Sequence, residues 1–304
     1  MRTVVGSMLL AGLVGLHGCA MGAGEEIERD VTDTALLAPS GCPTGPEGMD
    51  QQAIDAMETM NRLRKTAGLG CVSLSREASV AAERHCQYYV ANSGKCIAKP
   101  HREMDSCRNY MAETFSDRLA MSAYTGSPRF EVMAYVGHGP TSVQQWLDSV
   151  WHRIPILSPD VDEAGYGRQG RCDTMDFGFA GPSPTPKNLV YPLENQLNVP
   201  RSFSGRESPE PPPPPGGWPS GYPVTVYAAG LTDITEHSIT VAETGVELDH
   251  IWLAPGDARA YGLLVDEFML YTYRPLPAHT KFRVRVAGTQ NGEPKVFDWT
   301  FTTR

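Results

Sequence analysis

Along the first 180 residues, apolar positions recur with helical spacing in separate blocks. Ile54, Met57, Met60 and Leu63 share one face after Asp50, whose side chain suits an N-cap, and Gly68 ends the run. A second helix is predicted to start after Ser75 and to run through Ala78, Ala82, Cys86 and Tyr89 to Gly94. A third is expected over Val143 to Trp151, stopped before Pro155, because proline removes a ladder donor and crowds the preceding turn. Thr174 to Phe179 is a short apolar stretch of strand length. Helices and strands mixed without regular βαβ alternation predict an α+β domain.

After Tyr222 the period becomes two. Phe282, Val284 and Val286 alternate with Lys281, Arg283 and Arg285, and Phe297, Trp299 and Phe301 alternate with Asp298, Thr300 and Thr302. Asn291-Gly292 between them signals a two-residue hairpin, since both residue types accept positive φ. Short strands and turns over roughly 80 residues predict a small all-β sandwich. Between the two patterned regions lie Pro182, Pro184, Pro186, Pro192, Pro209, the run Pro211 to Pro215, and Pro219. Consecutive prolines form neither helix nor central strand, so this stretch reads as a stiff extended spacer. The resulting division is a leader over residues 1–18, a flexible tether over 19–45, a first domain over 46–185, a proline-rich linker over 186–221 and a β-sandwich over 222–304. The two domains are expected to fold independently.

The N-terminus decides which chemistry is allowed. Arg2 precedes an apolar run, Val4 to Leu16, too short to span a bilayer. Leu16, Gly18 and Cys19 resemble a bacterial lipobox, which implies lipidation of Cys19; an ordinary secretory leader with an incidental Cys19 is the alternative. The lipoprotein reading places the chain in the cell envelope, held to a membrane by its lipid. Losing Arg2 with the leader leaves 25 basic against 35 acidic residues, a net charge of −10. That balance argues against nucleic acid, whose phosphates need a basic footprint, and leaves attachment at the membrane to the lipid. Six cysteines remain, Cys42, Cys71, Cys86, Cys96, Cys107 and Cys172, all before residue 173. An even number in an exported chain reads as disulfides. Cys86–Cys96 is the first expectation, because the short segment between them ends a helix and turns back; Cys107–Cys172 and Cys42–Cys71 follow by elimination.

Gly165-Tyr-Gly167-Arg-Gln-Gly170 matches the dinucleotide fingerprint GxGxxG, but that site needs a strand before it and a helix after it. A turn-like Ser158-Pro159-Asp160 precedes it and a strand-like segment follows, so the match is rejected. No Walker loop, GxSxG elbow or HExxH is present.

Asn61-Arg62, Ala67-Gly68-Leu69, Leu74 and Ala81-Ala82-Glu83-Arg84-His85 are followed by His101, Phe115-Ser-Asp117-Arg118 and Phe130-Glu131. Trp146-Leu-Asp-Ser149-Val-Trp-His152-Arg153-Ile-Pro-Ile156-Leu157, Glu163-Ala-Gly165-Tyr-Gly167 and Asp176-Phe177-Gly178 complete the series. In order and spacing these pieces resemble bacterial CAP domains of the cysteine-rich secretory and pathogenesis-related family. Pro275-Leu276-Pro277 and the closing Trp299-Thr300-Phe301-Thr302-Thr303 resemble bacterial Ig-like modules. Together they imply a CAP-type α-β-α sandwich followed by a small all-β Ig-like sandwich.

The CAP resemblance also implies a cavity lined by two histidines and two acids. His101, Glu131 and His152 match three of these, while Ser149 stands where the second glutamate is found in eukaryotic members. Glu163 is the nearest acidic substitute. His101, Glu131 and His152 are therefore candidate ligands for Zn²⁺ or another divalent ion, with a buried structural network as the even alternative. His85, on an apolar helix face, reads as a hydrogen-bonded core residue, and His138, between Gly137 and Gly139, as part of a mobile loop. The functional expectation is a non-enzymatic module that binds metal and takes a lipid or envelope ligand. A zinc-dependent hydrolase and an adhesion protein acting through the Ig-like part are the alternatives; no protein partner is identified.

Overall fold

The computed structural model describes residues 39–96, 99–181 and 187–304. The leader, Cys19 and most of the expected tether lie outside the described residues. The tether's last residues are fastened, because Cys42 is disulfide-bonded to Cys71 and the Ser40 hydroxyl donates to Glu58.

Helix α1, Gln51–Thr66, begins where Asp50 accepts from the Gln52 N–H, as its N-cap pattern predicts. Strand β1, Ser73–Leu74, leads into α2, Arg76–Asn92, which Ser75 caps by accepting from the Ala78 N–H. A loop then reaches α3, Phe115–Met121, and β2, Ser127–Ala134. The third expected helix is two elements, α4 at Gly139–Leu147 and α5 at Arg153–Leu157. Pro155 does not stop a helix: it sits in the first turn of α5, where an N–H has no intrahelical partner to lose. His138 caps α4 by accepting from the Thr141 N–H, which corrects the mobile-loop reading.

Strands β3, Glu163–Gln169, and β4, Cys172–Phe179, complete a sheet of order β1-β3-β4-β2, in which β1 and β3 are parallel and the other pairs antiparallel. Helices α1, α4 and α5 share one apolar core with the Val132, Ala164, Tyr166, Met175 and Phe177 face. Helix α2 lies on the other face, directly against β3. A Cβ at Gly165 would stand 2.1 Å from the Ala78 carbonyl carbon, and one at Gly167 2.0 Å from the Glu83 nitrogen. These glycines therefore permit close helix–strand packing.

The disulfides correct two of the three expected pairings. Cys42–Cys71 is present, but Cys86 pairs with Cys172 and Cys96 with Cys107. Helix α2 continues six residues past Cys86, about 9 Å of rise, which carries the chain out of disulfide reach. Cys86 instead faces the sheet, 5.5 Å from Cys172 between Cα atoms.

The second region is two four-stranded sheets. One has the order β10-β13-β14-β6, from Leu231–Val241, Lys281–Gln290, Glu293–Thr303 and Gln196–Val199. The other has β11-β12-β9-β5, from His250–Leu253, Glu267–Thr272, Val224–Tyr227 and Leu189–Tyr191. Asn291 and Gly292 form the expected hairpin turn, with φ of 53° and 87°. Strands β7, Ser202–Phe203, and β8, Ser220–Gly221, form a further small ladder.

The expected linker is not a free spacer. Residues 189–191 and 196–199 are strands of these sheets, so the β region starts well before residue 222. Pro211 and Pro214 are buried, and the Tyr271 hydroxyl donates to the Pro212 carbonyl. The two regions also meet directly. The buried Arg153 guanidinium donates to the Pro223 carbonyl and lies between the Tyr191 and Tyr222 rings, 5.0 and 4.9 Å from their centroids. Tyr222 donates to Asp148 at 2.8 Å.

Candidate functional site

His101 lies on the loop after α2, inside the segment closed by Cys96–Cys107; Glu131 lies on the edge strand β2; His152 lies in the tight connection between α4 and α5. The fold brings the two imidazoles together, with ring centroids 6.5 Å apart. The His101 side chain is 35% exposed and that of His152 is 15% exposed, so the pair is open to solvent.

Each imidazole is tied down from behind by a buried carboxylate. His101 Nδ1 lies 2.9 Å from Glu131 Oε1, and the other Glu131 oxygen accepts from the Arg118 guanidinium. His152 Nδ1 lies 2.6 Å from Glu207 Oε1. Glu207 comes from the stretch read as a linker, and nothing in its sequence setting distinguishes it. A carboxylate already accepting from N–H donors offers only acceptor oxygens, so in each pair the imidazole carries its proton on Nδ1. The neutral ring's lone pair is then at Nε2.

Behind Glu131 is a charged interior. His85 is fully buried, as its helix-face position predicts, with Nδ1 2.9 Å from Glu103 Oε1 and Nε2 2.9 Å from the Pro100 carbonyl. Glu103 also accepts from the Met111 N–H at 2.7 Å. Burial alone would push the Glu131 carboxyl up. The charges of His85 and Arg118 and the bond from His101 outweigh it and hold Glu131 well below the usual carboxylate range. Asp176 pairs opposite Glu131 in the sheet and has the reverse fate. Burial and the neighbouring Glu131 charge push it far up, with Arg118 opposing only in part. Neither Asp176 oxygen has a hydrogen-bond partner among the described residues.

Ser149 and Glu163 take no part in the pair of imidazoles. The Ser149 hydroxyl donates to the Trp146 carbonyl at the end of α4. Glu163 begins β3 beside Tyr124, whose phenol is pushed up by burial and by that carboxylate. Arg118 and Asp176 stood inside recognisable sequence pieces, yet only the three-dimensional contacts give them a role. Among the described residues, no group of three or more His, Cys, Asp or Glu side chains is arranged to hold a metal ion. Glu131 has both oxygens engaged. Two imidazole nitrogens are left as donors, and rings whose centroids are 6.5 Å apart would have to draw closer to share one cation.

A helix–sheet–helix layer with a cysteine-stapled loop and a histidine pair at one sheet edge is the class of domain here. Residues 57–180 match the profile of the CAP family, described as the Cysteine-rich secretory protein family, and form a CAP domain. No curated protein matches the chain. Several solved structures are similar, three of them as follows. One is an extracellular protein containing a SCP domain from Bacillus anthracis str. Ames, with 19% identity, 42% of this chain and 40% of that chain covered, and a TM-score of 0.37. Another is a cysteine-rich secretory protein from Staphylococcus aureus subsp. aureus Mu50, with 19% identity, 44% and 40% covered, and a TM-score of 0.31. The third is an outer surface protein from Borrelia burgdorferi, with 19% identity, 40% and 87% covered, and a TM-score of 0.29. The chain thus spans 40% of the length of the first two. No helix among the described residues is long and apolar enough to cross a membrane.

Proposed function

We propose that the chain is an extracytoplasmic binding module whose CAP domain holds a divalent cation, Zn²⁺ being the candidate, between the Nε2 atoms of His101 and His152. The observation that carries this reading is the pairing itself: two partly exposed imidazoles, each fixed at Nδ1 by a buried carboxylate. A carboxylate placed behind a ligating imidazole sets its tautomer and raises its basicity. Glu131 then acts behind His101 instead of serving as a third ligand. A lipid or envelope ligand would approach through the same exposed side. Binding is favoured over hydrolysis, because the carboxylates nearest the imidazoles are engaged: Glu131 and Glu207 hold imidazoles, and burial pushes the Asp176 carboxyl well up.

Calorimetry with Zn²⁺ on the mature chain tests the reading. His101→Ala and His152→Ala should each abolish saturable binding while leaving the fold intact. His85→Ala should lower stability and leave intrinsic affinity nearly unchanged. Absence of saturable binding in wild type, or His101→Ala binding as well as wild type, leaves the residues as a structural network. The anchoring half of the proposal rests on Leu16 to Cys19. Cys19→Ser should release the protein from the membrane fraction, and unchanged partition would refute the lipid anchor.

A further inference from the structure

The proline-rich segment delivers one carboxylate into the CAP domain. The Glu207 side chain is buried and accepts from three successive backbone N–H groups, those of Val150 at 2.9 Å, Trp151 at 2.7 Å and His152 at 2.7 Å. Three converging amides form a concave anion site, and the His152 side chain supplies a fourth donor. The segment is fixed on both sides of this residue. Upstream, Gly205 has φ +76° and lies against the Trp218 ring, where an added Cβ would stand 2.2 Å from Cε2. Downstream, Trp151 Nε1 donates to the Pro209 carbonyl at 2.9 Å. The β region holds the next residue: the Tyr261 hydroxyl donates to the Glu210 carbonyl and Trp218 Nε1 to its carboxylate.

We infer that Glu207 is the positioning residue of His152, so the β region and the proline-rich segment together complete the histidine pair of the CAP domain. With three backbone donors spent on the carboxylate, its oxygens cannot donate. The Nδ1 proton must therefore stay on the ring, which leaves the lone pair of the neutral ring at Nε2, on a side chain that is 15% exposed. The proposed cation site builds on this orientation, but the orientation itself stands without a cation.

The test is Glu207→Gln in the mature chain, read in two ways. Long-range ¹⁵N–¹H spectra at a pH where the ring is neutral report the His152 tautomer directly. Wild type should show the Nδ1–H form. The glutamine amide can match only some of the four donors and puts an NH₂ where an acceptor is needed, so the population should move toward Nε2–H. His101, held by Glu131, should keep its tautomer and serves as the internal control. Zn²⁺ affinity should fall about 10- to 100-fold in the variant, the usual loss when the group behind a ligating imidazole is removed. A wild-type His152 in the Nε2–H form, or an unchanged tautomer in Glu207→Gln, overturns the inference, even where Zn²⁺ binds. A tautomer shift in a protein that binds no Zn²⁺ supports the inference and refutes the cation site. Should Glu207→Gln fail to fold, the wild-type spectrum still decides.

Discussion

The two regions keep their interiors in different ways. The CAP region buries Arg64, His85, Glu103, Arg118, Arg153, Asp173 and Asp176, whereas among the described residues of the β region the buried acidic or basic residue is Glu267. The β region instead fills its interior with Phe268, Leu270, Phe282, Val284, Trp299 and Phe301. The three disulfides among the described residues lie within the CAP region or tie the segment just before it. Taking charges out of water costs several kcal/mol per ion before pairing recovers it, so a buried network is weak evidence of net stability. The difference teaches that the cross-links sit where charged groups share the interior with apolar ones. Arg64 shows the care such an interior needs. It donates to four carbonyls, of Gly70, Ile156, Ser158 and Val161, and burial still lowers its pKa to about 10 against the pull of Asp162.

The largest way to break this comparison is to remove the cross-link joining α2 to β4. Cys86 and Cys172 are 86 residues apart, and Cys96 and Cys107 only 11. In the chain-entropy account these loops correspond to about 4.5 and about 3 kcal/mol. The Cys86→Ala/Cys172→Ala protein should therefore show the larger fall in denaturation midpoint. Equal losses for the two pairs would mean that loop closure is not how the disulfides act.

A subtler change sharpens the role of the buried network. The Asp176 carboxyl has a raised pKa in the folded protein, so the fold holds a proton that the unfolded chain releases once pH passes about 3.8. Between those values the unfolded state binds fewer protons, and stability falls as pH rises. Asp176→Asn removes this ionisation and keeps the shape. Urea denaturation should find the variant more stable than wild type at pH 7, with the gain disappearing near pH 3. A variant less stable at both pH values would show that the acid proton itself is structurally required.

How much of this was legible in the sequence follows the same division. Caps at Asp50 and Ser75, the Asn291-Gly292 turn and the alternation over Lys281–Thr303 are local, and the structure keeps them. His101 and His152 were found through their positions in a family pattern, and the fold does bring them together. Glu207 was missed because proline composition reports stiffness and says nothing about where a stiff segment docks. The Cys86 partner was missed for a related reason. It depends on how far α2 runs and how it crosses the sheet, which the glycines at 165 and 167 determine through contacts distant in sequence.

The β region has a histidine pair of its own, and it is built unlike the one in the CAP domain. His237 Nδ1 lies 2.9 Å from His250 Nε2, and His250 Nδ1 lies 2.8 Å from the Leu248 carbonyl. A carbonyl only accepts, so His250 carries its proton on Nδ1 and receives the His237 N–H at Nε2. Among the described residues no carboxylate is hydrogen-bonded to either ring as Glu131 and Glu207 are in the CAP domain. The His237 ring stacks on Trp252, with centroids 4.6 Å apart and planes within 5°. Burial first, then the neighbouring His250, lower the His237 pKa below its ordinary 6.5, with Glu247 opposing. The unfolded chain therefore takes up a proton at a higher pH than the fold does. Stability from this pair is present above about pH 6.5 and is lost as pH falls toward the lower folded value. The effect should be the smallest of the three, because His237 is only partly buried and solvent screens it. His237→Gln, which cannot titrate, should melt with a shallower drop between pH 7.5 and 5.5 than wild type. An identical drop in the two proteins would show that the pair titrates as freely in the fold as in the unfolded chain.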